Sequence, residues 1–182
     1  MKQASISLLM LILLVSCQND QNQRADRSEE EIVFNIDSSY FDFSVIDTFH
    51  GMHMPRIDSF MVVPIKTKAL ESDSYLLSKE GSSVAIIFSK HQREGSSLKH
   101  YQALSLDDNL EGQVLDISSY VKNGQKLVQL MIKNENQTIF KIIHDGDNVA
   151  QEMDIYIAND AYVEKNIKFA ESLIGLIHFS KL

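Results

Sequence analysis

The chain has 182 residues, with 25 acidic against 17 basic side chains and a formal net charge of −8. An acidic chain repels nucleic-acid phosphates, and because no basic stripe offsets this repulsion, we expect no nucleic-acid partner. The one cysteine, Cys17, excludes an intramolecular disulfide, so the stability of the fold must come from a hydrophobic core.

The N-terminal segment, residues 1–16, predicts a cleavable signal peptide. Lys2 supplies a positive charge and is followed by the apolar run ASISLLMLILLV. These 12 residues would span only about 18 Å as a helix, well short of the ~30 Å hydrocarbon core of a bilayer. The run therefore indicates a secretion signal and not a transmembrane helix.

The residues around Cys17 indicate attachment to a membrane. Leu14, Val15, Ser16 and Cys17 resemble the lipobox of bacterial lipoproteins. The resemblance implies that the thiol of Cys17 receives a diacylglycerol, that the chain is cut just before it, and that the new amine is acylated, for example with palmitate. Several acyl chains give a stable attachment that a single chain does not. The alternative is an ordinary secreted precursor with Cys17 near its cleavage point.

Residues 18–31, QNDQNQRADRSEEE, have a single aliphatic side chain and predict a flexible tether. The acylated cysteine and the tether thus occupy residues 17–31, and residues 32–182 form a single globular domain. An Asp directly after the cysteine would resemble an inner-membrane retention signal of Gram-negative lipoproteins. Gln18 therefore favours the outer membrane, with the domain facing the periplasm or the cell surface.

The segment FHGMHM holds the densest group of metal-ligand side chains. His50, Met52, His53 and Met54 place two imidazoles and two thioethers within five residues, and these donors suit Cu(I). Gly51 gives the backbone freedom to fold around an ion. The spacing matches no known metal signature, which favours a loop between two strands with methionines filling core gaps and histidines facing water. A buried Met52 or Met54 would argue against the metal site.

The second half of the domain predicts an antiparallel meander with one wet face. Asn123-Gly124 and Asp145-Gly146 supply the positive φ values that tight hairpin turns require. In the last strand, 149–158, alternate residues share a face. One face holds mainly apolar residues, and the other holds Ala150, Glu152, Asp154 and Tyr156. The strongest predicted elements are a hairpin over 75–91, a short helix over 96–104, and strands over 113–119, 125–133, 138–144 and 149–158.

The C-terminal segment changes to helical spacing. Its apolar stripe consists of Val163, Ile167, Ala170, Ile174 and Ile177. Such a stripe must be buried against a flat apolar surface, and the inner face of the meander is the expected partner. The predicted class is α+β: an antiparallel β-sheet meander with a short middle helix and a long C-terminal helix packed on the sheet.

This order of elements resembles the α/β sandwich of the PsbP-like family, which includes photosystem II extrinsic subunits and bacterial lipoproteins of the DcrB type. The resemblance covers residues 75–182 and depends on order and spacing, without a diagnostic motif. It implies a binding or assembly module without catalysis, and it transfers no functional residue to this chain.

Enzyme signatures are missing from the sequence. We find no Gly-x-Ser-x-Gly elbow and no glycine-rich phosphate loop, and the six histidines are scattered. The expected protein is a membrane-anchored envelope lipoprotein whose domain binds an envelope protein or other component without a cofactor. Two alternatives stay open: a copper-handling lipoprotein that uses His50, Met52, His53 and Met54, and an enzyme whose catalytic residues meet only in the folded chain.

Overall fold

The computed structural model describes residues 34–66, 73–105 and 112–182, which belong to one compact unit. The strands within these ranges are β1 (Phe41–Phe49), β2 (Met52–Ile57), β3 (Met61–Lys66), β4 (Asp73–Ser78), β5 (Val84–Gln92), β6 (Gln113–Lys122), β7 (Gln125–Lys133), β8 (Gln137–Asp145), β9 (Val149–Ala158) and β10 (His178–Phe179). The helices are α1 (Ser97–Leu104) and α2 (Glu164–Leu176), with 3-10 turns at Ser38–Tyr40 and Asn159–Ala161.

The predicted signal peptide, Cys17 and the tether lie outside the described residues. Within the part that the structure describes, neither helix has the length and apolar character needed to cross a bilayer.

The strands form two antiparallel sheets. The larger sheet has seven strands in the order β3-β4-β5-β9-β8-β7-β6, and the smaller one has the order β1-β2-β10. Every neighbouring pair of strands is antiparallel. Two α-helices accompany these sheets in the described ranges, so the predicted α+β class with an antiparallel sheet is confirmed.

One predicted turn of the meander has the expected backbone conformation, and another does not. Asn123 and Gly124 have φ values of 52° and 74°, as a two-residue turn between β6 and β7 requires. Gly146 has no positive φ value, which differs from the prediction. The last pair of the β8–β9 register is Asp145 with Ala150, so four residues form the connection and the tight-turn conformation is not needed.

The main core lies on one side of the large sheet, which we call the inner face. Alternate residues of β5, β7, β8 and β9 enter it, because neighbouring residues of a strand point to opposite faces. The same core includes side chains of α2 and of the small sheet. Its members from these elements are Phe169, Ala170, Leu173 and Ile174 of α2, Phe41 and Phe49 of β1, Met52, Met54 and Ile57 of β2, and Phe179 of β10.

The opposite side, the outer face, carries a second apolar cluster and a set of buried charges. Val128, Leu130 and Ile143 pack there with Leu98 and Tyr101 of α1. The face of β9 that we predicted to be exposed to water is this outer face. The prediction is wrong for most of the β9 residues on that face. Ala150, Glu152 and Asp154 are buried, because α1 and the neighbouring side chains of β5 and β8 cover this part of the sheet.

Candidate functional site

The predicted metal motif lies on the hairpin formed by β1 and β2. Met52 and Met54 are 0% and 1% exposed and belong to the main core. His53 lies between them on the strand and therefore points to the opposite face. Its Nδ1 is hydrogen-bonded to Thr48 Oγ1 at 2.9 Å, and its Nε2 to Ser180 Oγ at 2.7 Å. The thioethers and this imidazole thus face different sides of β2.

His50 occupies the turn of the same hairpin. Its φ of 51° places it in the left-handed region, together with Gly51 at 81°. The ring of His50 lies 5.0 Å from that of Tyr75, and its buried Nε2 has no hydrogen-bond partner among the described residues. The structure therefore does not bring the four predicted donors into one coordination sphere. In the described ranges, no group of three or more His, Cys, Asp or Glu side chains is placed to hold a metal. The copper hypothesis stays a prediction without support from this geometry.

A row of buried and half-buried ionisable side chains crosses the outer face, and we call it the charged row: His91, Arg93, Lys141, Glu152 and Asp154. Lys141 of β8 lies opposite Asp154 of β9 in the strand register. Its ammonium group donates to Asp154 Oδ2 at 2.8 Å and to Glu152 Oε1. Glu152 Oε2 lies 3.9 Å from His91 Nε2 and 3.8 Å from Arg93 Nη2. Each charge of the row thus faces an opposite charge or a titratable ring.

Helix α1 covers the charged row with an aromatic ring. Tyr101 lies with its ring centroid 5.3 Å from the Arg93 guanidinium and 5.9 Å from Lys141 Nζ, distances typical of cation–π contacts. The start of the helix is fixed by Asp145, which accepts hydrogen bonds from the backbone N–H and the hydroxyl of Ser97 at 2.8 Å and 2.5 Å. Side chains from three strands and one helix therefore meet in the charged row.

Burial and pairing shift the protonation of these groups in different directions. Burial raises the pKa of Asp154 to about 6, although Lys141 acts in the opposite sense. Burial opposes the charged form of Lys141, but Asp154 and Glu152 outweigh it and raise the pKa of Lys141 above its ordinary value. Burial also lowers the pKa of His91. The row is arranged as an ion network in which one ammonium ion holds two carboxylates together.

The second candidate is a cleft of about 270 Å³ beside the start of α2, which we call the aromatic–lysine cleft. Phe169 of α2 lies at its base, 5.4 Å from Tyr40 with the rings nearly perpendicular and 5.8 Å from Phe60 with the rings stacked. The cleft is lined by Ser39, Tyr40, Ile57, Asp58, Ser59, Phe60, Lys79, Ser82, Val84, Lys165, Asn166 and Phe169.

Local backbone structure positions the side chains of this cleft. The turn after β2 brings Phe60 over Phe169, with the Phe60 N–H donating to Ile57 O at 3.3 Å and Ser59 in the left-handed region at a φ of 67°. Lys79 comes from the β4–β5 turn, and Lys165 from the first turn of α2. The cleft thus combines an aromatic floor with two ammonium groups from separate elements.

Sequence reasoning missed both the charged row and the aromatic–lysine cleft. The signal for the row was the spacing of Glu152 and Asp154 on one face of β9, together with Lys141 in the middle of an otherwise apolar strand. The residues of the cleft come from positions far apart in the chain, so no local pattern indicates them.

The sheet order and the two helices define a PsbP-like α/β fold, as the comparison with solved structures supports. The chain is similar to the solution structure of cyanobacterial PsbP (CyanoP) from Synechocystis sp. PCC 6803, with a TM-score of 0.53 and 12% identity over 74% of this chain and 89% of that one. A crystal structure from Bacteroides thetaiotaomicron aligns with a TM-score of 0.39 and 13% identity, over 72% of this chain and 46% of that one. No family model and no curated protein matches the sequence. At 12% identity the likeness to cyanobacterial PsbP concerns the fold and assigns no activity.

Proposed function

We propose that this protein is a lipoprotein of the bacterial cell envelope whose domain is a non-catalytic binding module. The observation that carries the binding role is the aromatic–lysine cleft, where a ring floor and two ammonium groups are open to an incoming molecule. Aromatic rings and cations are the groups that binding sites use for contact and orientation. The charged row, by contrast, is internally paired and contributes to the structure of the sheet.

The anchor in this proposal is Cys17, acylated after removal of residues 1–16. Residues 18–31 would separate the domain from the lipid surface, and Gln18 favours the outer membrane. A PsbP-like arrangement of the helices, with α2 lying along the inner face, would leave the start of α2 and its cleft at the surface of the domain. The proposed partner is a component of the envelope.

Site-specific photo-crosslinking in intact cells tests the binding role. A photo-reactive phenylalanine derivative replaces the exposed Ser39 in the lining of the cleft, and in a matched variant it replaces the exposed Lys99 of α1. We expect a discrete adduct with an envelope component from position 39 and none from position 99. Equal adducts from both positions, or none from position 39, would contradict the proposed binding module.

A further inference from the structure

We infer that the aromatic–lysine cleft binds a small anionic ligand that carries a flat apolar ring, for which an aromatic carboxylate is the simplest representative. The inference rests on the proposed binding function and names the chemistry of its ligand. It depends on the floor of the cleft, the charge of its rim and its size.

The floor of the cleft is suited to a flat apolar group. Phe169 is buried beneath the half-buried rings of Tyr40 and Phe60. The Phe60 ring is stacked on Phe169 at an interplanar angle of 18°, whereas Tyr40 meets Phe169 at 88°. Phe41 is also stacked on Phe169, at 6.0 Å and 8°, so a ligand would contact the partly exposed rings of Tyr40 and Phe60 and not the Phe169 ring itself.

The rim of the cleft favours negative charge, although the chain as a whole has a formal charge of −8. Lys79 and Lys165 are exposed, and neither has an ion-pair partner among the described residues. Asp58 is the single acidic residue in the lining, so the ammonium groups outnumber it. A carboxylate placed between the two lysines would neutralise a charge that the protein leaves unpaired.

The polar lining supplies a further donor. Ser82 Oγ accepts the backbone N–H of Val84 at 3.1 Å, which leaves its hydroxyl hydrogen free to donate to an anion. The Asn166 Nδ2 uses one of its two N–H groups in a hydrogen bond to Ala161 O at 2.8 Å. The anionic group is therefore expected between Lys79 and Lys165, with Ser82 and Asn166 as the further polar groups of the lining.

The volume of the cleft limits the size of the ligand that it can hold. Its volume of about 270 Å³ lies just below the roughly 300–1,000 Å³ of sites for drug-sized molecules. A compound of one or two rings with an acidic group is compatible with this volume, whereas a whole acylated lipid is not.

Isothermal titration of the full-length lipidated chain in nanodiscs tests this inference, with 2-naphthoate as the probe and empty nanodiscs as the blank. We expect saturable one-to-one binding that weakens at high salt. The neutral analogue, 2-naphthalenemethanol, should bind at least tenfold more weakly. The variant Lys79→Ala/Lys165→Ala should lose at least tenfold in affinity, and the control Lys99→Ala/Lys133→Ala should keep the wild-type value, since these lysines are exposed elsewhere.

The inference is overturned if 2-naphthoate binds no better than to empty nanodiscs, if the neutral alcohol binds equally well, or if the two double variants behave alike. Circular dichroism of both variants controls for folding. If the probe does not bind while cross-linking from position 39 succeeds, the ligand class is wrong and the binding module stands. If cross-linking fails as well, both proposals are wrong.

Discussion

Lys141 Nζ lies 2.8 Å from Asp154 on the neighbouring strand, and each of the two side chains is 11% exposed. The same ammonium group also forms an ion pair with Glu152, whose side chain is 8% exposed. A carboxylate this deeply buried is unfavourable on its own, so the two acids of β9 depend on one lysine of β8. The charged row therefore links the β8–β9 pair through side chains as well as through the backbone.

Replacement of Lys141 by Met is expected to lower the free energy of unfolding by about 3–5 kcal/mol, because two carboxylates would stay buried without their cation. Urea unfolding of the variant and the wild type measures the difference. The matched control is Lys168→Met, whose partner Glu164 is 82% exposed while Lys168 itself is 54% exposed. An exposed pair of this kind contributes little to stability, because water and salt screen its attraction. Equal effects of the two variants would contradict the structural role of the charged row.

The raised pKa of Asp154 makes stability depend on pH. Burial raises the pKa of this carboxyl from 3.8 to about 6, so the folded state holds the proton more tightly than the unfolded chain. The corresponding stabilisation is complete below about pH 4 and is lost as the pH rises through about 6. We therefore expect the unfolding free energy of the wild type minus that of Asp154→Asn to fall between pH 4 and pH 6. A difference that rises over this interval would disagree with the buried position of Asp154.

The Lys122 side chain connects β6 to the C-terminal end of α2 through two hydrogen bonds. Its Nζ donates to Ile174 O at 2.7 Å and to Ile177 O at 2.6 Å, two carbonyls at the helix C-terminus that lack helical partners. Lys122→Met should cost about 1–3 kcal/mol of unfolding free energy, because these acceptors are left partly buried without a donor. The exposed Lys133 of β7 provides the control, since Lys133→Met should change stability by about 0.5 kcal/mol or less. Thermal unfolding of the two variants distinguishes them.

Two glycines with positive φ values allow the stability cost of backbone strain to be compared with that of an added steric contact. Gly81 has a φ of 69° and open space around the position of a Cβ atom. Gly51 has a φ of 81°, and a Cβ there would lie 2.6 Å from Gln151 Nε2, which donates to His50 O. Gly81→Ala should cost about 1 kcal/mol through the backbone alone. Gly51→Ala should cost more, as measured by urea unfolding, and equal costs would mean that Gln151 moves aside freely.

The sequence predicted the regular elements well where local patterns decide them. Strands 125–133 and 149–158 have the predicted bounds, and the Asn123-Gly124 turn has the predicted conformation. Alternation along β9 divided its residues correctly between two faces, but it did not reveal what covers each face. The burial of Glu152 and Asp154 depends on Lys141 and on Tyr101 of α1, which approach them only in the folded chain.

The placement of functional groups was harder to predict for the same reason. Met52, His53 and Met54 alternate as a β-strand does, and this pattern in β2 was the available signal that the thioethers and the imidazole point apart. The cleft offers no such local signal. Tyr40, Phe60 and Phe169 meet because the turn after β2 packs on the first half of α2, a contact between distant parts of the chain.

The proposed membrane anchor is tested most directly by metabolic labelling with an alkyne analogue of palmitate. The full-length chain and its Cys17→Ser variant are expressed in a Gram-negative host, and the label and the membrane fraction are measured for each. The proposal predicts a labelled wild-type protein in the outer membrane and an unlabelled variant. An unlabelled wild-type protein, or label that persists in Cys17→Ser, would contradict lipidation at Cys17.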